Sequence, residues 1–512
     1  MQNINNIRIK ALKICYNCLT NCNFIEMLGK IIKSVSIVLV SMLLIMILIT
    51  VINAPDSKKN TSSKNLLTYS DSLGFLRFAE SLKFKVIGND DGTMDENSKQ
   101  QLLQLHGWMR VNYPLLSARA NWKIIGSGSV LITLVGKNPN LEAAMFLGHL
   151  DVVPVEDSSQ WKYPPFAGKI VGDTLWGRGT LDDKNAVISL LEAAEKLIAI
   201  GKQPQRNILL AFGHDEETGG KSGAAEIAAY LKQSGTKIGF ISDEGFGIME
   251  EIVPGLKQPA AIIGLAEKGY LTLKIKASVV GGHSAWPKQK NTVAELTTAL
   301  NRLDNFQFSS RLDGPVSGLF ENAAPYMNFG YKFLFSNLWI TKPLLKMVLE
   351  GGEKTAATIR TTHVTTIVRA GEKENVVPPF AEAIVNFRIL PGDNIQDIIS
   401  KVTEVIDNKN ITISKIGDSY EASPISPNSG LGYDEITATL KDVIPDAVPM
   451  PGLVITGTDC KNYTGVCNRI YRFVPYRFNN NNLSGIHGKN EHVSRQSFYE
   501  ATTFYLNLFS RL

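Results

Sequence analysis

The sequence predicts an α/β protein. It combines a mostly parallel sheet with helices on both faces, a smaller inserted α+β unit and an N-terminal transmembrane helix. Three observations predict this architecture. An uncharged apolar run lies near the N-terminus, and buried strands alternate with helices from about Trp122 onward. A strand–helix–strand–strand–helix–strand order then follows between residues 268 and 420.

The apolar run extends from Ser34 to Asn53 and contains no charged residue. A helix of about 20 such residues spans the roughly 30 Å hydrocarbon layer of a membrane. Lys30 and Lys33 precede the run. The positive-inside rule therefore places residues 1–33 in the cytoplasm and the main body on the other side of the membrane.

A cleaved signal peptide is the alternative interpretation of this run. The region before it is long for a signal peptide, and residues 52–54 match a small-x-small cleavage site poorly. We therefore expect residues 34–53 to be an uncleaved single-pass anchor, followed by a polar stalk at residues 54–69. The body would then be periplasmic, vacuolar or lumenal, or extracellular.

The charge and the cysteine content bear on the partners of the protein and on a possible disulfide. The chain has 53 basic and 48 acidic residues, and the N-terminal 33 residues hold five of the bases and one of the acids. The body is therefore nearly neutral, which predicts no nucleic-acid partner. Cys460 and Cys467 lie in the exported body, where a disulfide is permitted, but their spacing leaves the pairing open.

The first part of the main α/β domain is predicted at residues 70–267, and residues 421–512 are expected to complete it. Short apolar runs there alternate with segments of helical periodicity, which is typical of a parallel sheet covered on both faces. The predicted strands are 143–147, 207–212 and 238–242, and the predicted helices are 185–200 and 223–233.

The inserted unit is predicted at residues 268–420, with the order of a ferredoxin-like sandwich. Within it, residues 306–357 form an apolar and aromatic insertion. Three special roles are open for this insertion, namely lining a channel for an acyl group, contacting the membrane, or covering an edge of the inserted unit. Ordinary packing is the interpretation that we favour.

Metal-ligand types of side chain follow successive predicted strands. His149 and Asp151 follow the first strand, Glu216 and Glu217 the second, and Asp243 the third, while Asp182 lies in a glycine-containing turn before a helix. Each has an ordinary alternative, such as a structural histidine–aspartate pair or a helix cap. Sites of open α/β sheets form at the carboxyl ends of strands, so together these segments predict a site.

The collective pattern resembles a family of zinc peptidases that includes aminoacylase, carnosinase, bacterial glutamate carboxypeptidase and Gly-X carboxypeptidase (carboxypeptidase S). The resemblance covers residues from about Ser70 to the C-terminus and is closest to carboxypeptidase S and the enzymes of N-fatty-acyl amino acids. The motifs that carry it are, in chain order, GHLDVVP, GRGTLDDK, GHDEETGG, SDEG, GGHSAWP and GIHGKNE.

The resemblance implies a centre with two zinc ions. His149 and Asp243 would bind one ion, Glu217 and His487 the other, and Asp182 would bridge them. Nitrogen and carboxylate ligands suit zinc. Asp151 would orient His149 through its second ring nitrogen. Glu216 would act as the general base.

The resemblance also assigns residues outside the metal centre. The inserted unit would be a lid and dimerisation domain, whose His283 donates to the developing oxyanion, often across a homodimer interface. Asn375 and Arg388 would hold the substrate carboxylate. Gly457 and Thr458 would offer backbone amides to the same carboxylate. A turn histidine and a surface arginine are the ordinary alternatives.

The predicted function is therefore that of a metallocarboxypeptidase, which hydrolyses the amide bond next to a free C-terminal carboxylate. An aminoacylase or N-fatty-acyl-amino-acid hydrolase is the alternative, because only the acyl pocket differs. A catalytically silent binding protein on the same scaffold is disfavoured, since Glu216 and all five expected ligands are present.

Overall fold

The computed structural model describes residues 10, 22–55, 66–89, 91–251, 253–286 and 290–512. Its strands are, in chain order, β1 (Asn121–Ile125), β2 (Ser129–Leu134), β3 (Ala143–His149), β4 (Lys169–Val171), β5 (Thr174–Trp176), β6 (Ile208–Gly213), β7 (Ile238–Asp243), β8 (Ile248–Met249), β9 (Ala260–Glu267), β10 (Gly269–Ser278), β11 (Gly282–His283), β12 (Thr362–Ala370), β13 (Val376–Val377), β14 (Phe380–Ile389), β15 (Ile411–Lys415), β16 (Val448–Val454), β17 (Ile470–Arg472), β18 (Arg477–Phe478) and β19 (His492–Ser494).

The α-helices of the described residues fall into an N-terminal helix, the helices of the two sheets, and a helical insertion. They are α1 (Cys22–Ile52), α2 (Ser72–Ser81), α3 (Glu96–Asn112), α4 (Pro114–Arg119), α5 (Lys184–Ala199), α6 (Ala224–Gln233), α7 (Thr292–Asp304), α8 (Gly314–Ala323), α9 (Phe329–Ser336), α10 (Leu338–Glu350), α11 (Glu353–Ile359), α12 (Ile395–Ile406), α13 (Tyr433–Val443) and α14 (Arg495–Arg511).

The main sheet is mixed rather than mostly parallel, which corrects the prediction. Its order is β1-β2-β6-β3-β7-β17-β9-β8-β18, with β16 beside β9. The central strands β6, β3, β7 and β17 run parallel, whereas β1 and β2 form an antiparallel pair, as do β8 and β9. A short turn can join only antiparallel strands, so the short connection between β1 and β2 makes a hairpin at one edge of the sheet.

Helices cover both faces of this sheet, as predicted. Successive residues of a strand point to opposite faces, and β3 shows the consequence. Phe146 packs against Phe509 of α14, with ring centroids 5.0 Å apart. Met145 faces the other way and belongs to the apolar cluster of Ile227 in α6. The strand ends are thus held between two packed layers, which fixes where the segments after them begin.

The second sheet has the predicted strand–helix–strand–strand–helix–strand order. Its strands lie in the order β12-β14-β10-β15, and all three neighbouring pairs are antiparallel. Helices α7 and α12 pack on it and share a separate apolar core, which includes Leu296, Phe387 and Val402. That core makes the inserted unit a structural layer of its own, while its role as a lid stays a prediction.

The insertion at residues 306–357 forms helices α8 to α11 between α7 and β12. Helix α8 lies against β9 and β16 of the main sheet. A side chain at Gly318 of α8 would meet Pro451 of β16 at 2.7 Å, so the backbone approaches the strand closely. Part of the insertion is therefore ordinary packing, as favoured above.

The predicted membrane segment lies in helix α1. Residues Met27–Ile52 form a helix long and apolar enough to cross a membrane, with a mean hydropathy of 3.1 over its most apolar stretch. A signal sequence has the same properties, so the anchor stays a prediction. Residues 56–65 of the predicted stalk and most of the predicted cytoplasmic segment lie outside the described residues.

Cys460 and Cys467 are both buried and unpaired, so the disulfide left open by the sequence is not formed. The Cys467 sulfur instead accepts a hydrogen bond from the backbone N–H of Arg469 at 3.4 Å. Cys460 belongs to the short helical turn Asp459–Tyr463, which packs on the face of the sheet covered by α6.

Candidate metal centre

The polar segments predicted to follow the strands meet at one edge of the main sheet. Strand β3 ends at His149, β6 ends just before His214, and β7 ends at Asp243. Because these strands are parallel, their carboxyl ends lie side by side. The turn before α5 and the loop around His487 reach the same edge.

Asp182 lies between two histidines. Its Oδ1 is 2.9 Å from Nε2 of His149, and its Oδ2 is 3.0 Å from Nε2 of His487. Glu217 Oε2 lies 3.2 Å from the same nitrogen of His487. A carboxylate shared by two imidazoles has the position of a bridging ligand between two cations, which is the role predicted for Asp182.

Two overlapping groups of side chains place their ligand atoms within 4.8 Å of one another. One group is His149, Asp182 and Glu217, and the other is His149, Asp183 and Glu244. Imidazole nitrogen and carboxylate oxygen are donors that zinc accepts at short distances. The donor set therefore fits a pair of divalent ions.

Glu244, rather than the predicted Asp243, belongs to one of these groups. Oε1 of Glu244 is 3.7 Å from Nε2 of His149. Asp243 is the last residue of β7, and its carboxylate accepts a hydrogen bond from the Cys460 thiol beside the Arg472 guanidinium. The Oδ2 atom of Asp243 is buried and has no hydrogen-bond partner among the described residues, so its role as a ligand stays a prediction.

Asp151 holds two parts of the site together. The Nδ1 atom of His149 lies 3.0 Å from the Asp151 carbonyl oxygen and 3.5 Å from its Oδ1. The Asp151 carboxylate also accepts hydrogen bonds from the backbone N–H groups of Glu216, at 3.2 Å, and Glu217, at 3.0 Å. It therefore positions the turn of the two glutamates as well as the histidine for which it was predicted.

Glu216 and Glu217 are adjacent but face different partners. They begin the short helical turn Glu216–Thr218 after β6. Glu217 contacts His487 through Oε2 and accepts a hydrogen bond from the Val153 N–H through Oε1 at 3.2 Å. Glu216 instead faces the adjoining cavities, and burial raises its pKa well above the usual range.

A buried carboxylate that the sequence analysis left without a role joins two of the ligand segments. Glu491 accepts hydrogen bonds from the Arg178 guanidinium at 2.7 Å and from the backbone N–H groups of Leu181 at 2.6 Å and Gly179 at 3.0 Å. These residues belong to the turn that presents Asp182, while Glu491 follows the loop of His487. Both segments had been recognised as motifs, but no periodicity in the sequence indicated that they contact each other.

A cavity with two cations outside any described ion pair, called the cationic cavity below, adjoins the cluster, and Glu216, Glu217 and Asp418 line it as well. It has a volume of about 680 Å³. The Arg388 guanidinium lies 4.7 Å from the centre of the Tyr270 ring, and the Lys461 ammonium lies 5.6 Å from that of Tyr420. None of the ion pairs found among the described residues includes Arg388 or Lys461, so both cations are available to an anionic ligand. The residues of this cavity that carry the argument below are Glu216, Glu217, Tyr270, Arg388, Tyr420 and Lys461.

An apolar cavity lies on the other side of the two glutamates, with a volume of about 330 Å³. Asp182, Glu217, Glu244 and His487 line one side of it. Its apolar wall comes from several separate segments and consists of Phe246, Met249, Val474, Phe478, Leu483 and Ile486. The sequence analysis missed this wall because residues so far apart in the chain show no common pattern.

His283 and Asn375 are brought together with each other but not with the metal cluster. Strands β11 and β13 pair His283 with Val376, and the Ser284 N–H donates to the Asn375 carbonyl at 3.1 Å. His283 is exposed, and neither residue lines the two cavities described above. Of the lid residues predicted to reach the site, the described chain places only Arg388 there. The action of His283 in a partner subunit stays a prediction.

Thr458 does not offer a free backbone amide, contrary to the prediction. Its N–H and its hydroxyl both donate to Oε2 of buried Glu267, at 3.2 and 2.9 Å. This carboxylate already lies 3.4 Å from the Arg472 guanidinium. Gly457 does line both cavities, and a side chain there would collide with the Tyr420 hydroxyl.

Comparison with known proteins supports the resemblance drawn from the motifs. The profile described as Peptidase family M20/M25/M40 matches residues 145–511. "Probable carboxypeptidase S-like 2" of Dictyostelium discoideum is 35% identical, over 86% of this chain and 85% of that protein. The "N-fatty-acyl-amino acid synthase/hydrolase PM20D1.1" of Danio rerio is also 35% identical, over 77% and 76%.

Solved structures share the fold at low sequence identity. The M20 family metallo-carboxypeptidase Sso-CP2 from Sulfolobus solfataricus superposes with a TM-score of 0.61 and 18% identity. The match covers 86% of this chain and 99% of that structure. At this identity the likeness establishes the architecture alone.

The placement of Glu244 predicts different effects for two neighbouring acids. Glu244→Gln should lower the zinc bound per folded chain, because it removes a carboxylate that faces His149. Asp243→Asn should leave the bound zinc nearly unchanged and lower the thermal unfolding midpoint instead, because it weakens a buried contact with Arg472. Elemental analysis of dialysed protein and a thermal scan measure the two effects. Loss of zinc in Asp243→Asn alone would restore the original assignment.

Metal binding should release protons at neutral pH. Hydrogen bonds to Asp182 and Glu217 raise the pKa of His487 to about 10, so its imidazole is protonated below that pH in the metal-free chain. A metal must displace this proton, and the apparent affinity should therefore rise with pH towards about 10. Calorimetric zinc titrations at pH 8, in two buffers of different ionisation enthalpy, count the protons. The result would contradict the geometry if no proton were released.

Proposed function

We infer that this chain, which belongs to Peptidase family M20/M25/M40, hydrolyses the amide bond next to a free carboxylate with the help of two zinc ions. The inference rests on one observation above all. The candidate metal cluster lies between a cationic cavity and an apolar cavity, and Glu216 and Glu217 line both.

The two cavities define the kind of substrate. A carboxylate fits the cationic side, where Arg388 and Lys461 carry positive charges that no described ion pair neutralises. Arginine is suited to a carboxylate because its planar guanidinium forms two parallel hydrogen bonds. An apolar acyl group or side chain fits the opposite wall of Phe246, Val474 and Phe478. The amide between these two parts then lies over the cluster.

The residues that would hold the ions are His149, Asp182, Glu217, Glu244 and His487. Two overlapping groups that share His149 place their donor atoms within 4.8 Å of one another, which supports a pair of ions. Asp182 lies between His149 and His487, which supports it as the ligand common to both ions. When bound, such ions polarise a carbonyl group and lower the pKa of a water molecule to near neutrality. Imidazole and carboxylate donors favour zinc among the common divalent metals.

Glu216 is the group that we assign to proton transfer. It is half-buried beside the cluster, no described ion pair or side-chain hydrogen bond occupies its carboxylate, and it borders both cavities. Burial raises the pKa of Glu216, which brings the carboxyl group towards the pH range in which general acids and bases work best. Glu216 takes a proton from the attacking water and passes it to the leaving nitrogen.

The carboxypeptidase S-like relative and the N-fatty-acyl-amino acid hydrolase relative suggest two substrates for one chemistry. A peptide with an apolar penultimate residue and an N-acyl amino acid both present an apolar group, an amide and a carboxylate in this order. We propose the carboxypeptidase activity first. The apolar wall, with two phenylalanines and no charge, favours the N-acyl amino acid as the second candidate.

The remaining assignments complete the proposal. The inserted unit acts as a lid and dimerisation domain, and His283 donates a hydrogen bond to the oxyanion in the site of a partner subunit. Asn375 lies beside it through the pairing of β11 and β13. Helix α1 anchors the enzyme in a membrane, with the body on the side away from the cytoplasm.

Replacing Glu216 should separate chemistry from metal binding. In Glu216→Gln we expect kcat to fall by about 10²–10⁴-fold while the bound zinc stays unchanged, because the amide cannot accept the proton. The matched variant Glu217→Gln should lose zinc as well as activity. Turnover of a blocked Gly-Leu dipeptide and of a fatty-acyl amino acid, with elemental analysis, provides the measurement. Full activity of Glu216→Gln on either substrate would refute its role.

Arg388 should discriminate substrates by their terminal charge. Arg388→Met should raise KM about 10–100-fold for a substrate with a free carboxylate, as expected for the loss of a charged hydrogen bond, and change little for its C-terminal amide. Arg369→Met is the matched control, because Arg369 is an exposed arginine of the same sheet. An equal loss for both substrates would mean that Arg388 is structural.

A further inference from the structure

The helical insertion contacts the predicted membrane helix through buried polar groups. The side-chain amide of Asn337 donates to the Met46 carbonyl at 3.2 Å and to the Thr50 hydroxyl at 3.0 Å. The side-chain amide of Asn53 donates to the Ser336 hydroxyl at 2.8 Å. Asn337 and Thr50 have no exposed surface. The last two turns of α1 are therefore fastened to the junction of α9 and α10.

The position of these contacts along α1 sets their depth in a membrane. The apolar run ends at Asn53, and a helix rises 1.5 Å per residue. Met46 and Thr50 then lie about 10 Å and about 5 Å inside the end of the hydrocarbon-spanning segment. Since Asn337 bonds to both residues, the start of α10 lies at the same depth.

The outward face of α10 has the composition expected of a surface in lipid. Leu338, Leu345 and Leu349 form its buried face. At 100° per residue, Pro343, Leu344 and Met347 lie opposite this face and Trp339 and Val348 at its sides, and all five are exposed. A helix of a water-soluble protein carries polar residues there. Glu350, on the side of Trp339, is paired with Arg360. In α10, Lys342 and Lys346 lie on the flank between the two faces, from which long side chains can reach the headgroups.

We propose that helices α9 and α10 are a second membrane element, whose outward face lies in the acyl chains of the leaflet nearest the body, beside the anchor. Phe329 at the start of α9 is exposed as well. The occupant of this face is the bilayer rather than a second protein, because the face adjoins a helix that spans the bilayer and lies at hydrocarbon depth. Within lipid, a polar donor must be satisfied by the protein itself, as the side-chain NH2 group of Asn337 is by Met46, Thr50 and Phe333.

The same contacts favour an anchor over a cleaved signal. Met46 and Thr50 would be lost if α1 were cleaved off. Asn337 would then lack two of its hydrogen bonds in an otherwise buried site. The proposal rests on the anchor and does not depend on which substrate the enzyme takes. Its test can therefore fail or succeed without reference to hydrolysis.

Two exposed tryptophans provide the test. The chain has six tryptophans and none lies in residues 1–53, so the anchor itself contributes no tryptophan signal. Trp339 on α10 is 60% exposed, and Trp286 on the loop after β11 is 79% exposed. The full-length chain is reconstituted into phosphatidylcholine vesicles whose acyl chains carry bromine, a quencher of tryptophan fluorescence. Wild type, Trp339→Phe and Trp286→Phe are compared, with thermal unfolding midpoints as the check on folding.

We expect brominated lipid to quench the wild type and Trp286→Phe to the same absolute extent, and to quench Trp339→Phe several-fold less. Aqueous iodide should give the reverse pattern, since Trp286 faces water. Asn337→Leu, which removes both hydrogen bonds to α1, should also reduce quenching by lipid while Trp339 is still present.

Three results would overturn the proposal. Equal lipid quenching in wild type and Trp339→Phe would mean that α10 lies outside the bilayer. Quenching of Trp339 by iodide would place the face in water. Protection of Trp339 from both quenchers would mean that a second copy of the chain, and not lipid, covers it.

Discussion

The candidate metal centre depends on the buried carboxylate of Glu491. It joins the turn that carries Asp182 to the loop that carries His487, two segments separated by about three hundred residues of chain. Removing one partner of a buried charged pair typically costs about 3–5 kcal/mol, because the other charge is left uncompensated. Burial raises the pKa of Glu491 to about 7. The contacts with Arg178 and the backbone amides act in the opposite direction, because they stabilise the ionised carboxylate. His487 itself has a φ of 55°, a left-handed conformation that an L-residue adopts at a cost and that the surrounding contacts must maintain.

A second constraint is the crowding of carboxylates at the edge of the sheet. The Asp151 carboxylate orients both His149 and the turn of Glu216 and Glu217, so the positions of the histidine and of the two glutamates are linked. Burial raises the pKa of both Glu216 and Glu244 in the chain alone. Divalent cations would offset the mutual repulsion of these groups, and the same charges then become ligands.

Different layers of the fold contribute different residues to the candidate site. The main sheet supplies the candidate ligands, the second sheet contributes Arg388 to the cationic cavity, and His283 lies outward on the same inserted unit. The helical insertion packs against β9 and β16 on one side and against α1 on the other. Since the loop after β16 includes Gly457, which lines both cavities, the insertion connects α1 to the wall of the site through packed elements.

The sequence by itself determined the features that are encoded within short windows. Strand and helix periodicity predicted the central layers and the order of the inserted unit. The local motifs identified five residues that the structure places at one edge of the sheet, namely His149, Asp182, Glu216, Glu217 and His487. Tertiary structure alone placed Glu244 in one group with His149 and Asp183, a grouping that no motif indicated. It also decided that the Thr458 amide is bound to Glu267, that the main sheet is mixed, and that an apolar wall stands beside the glutamates. These features arise from contacts between segments far apart in the chain, and no local pattern of residues specifies which distant surfaces will meet.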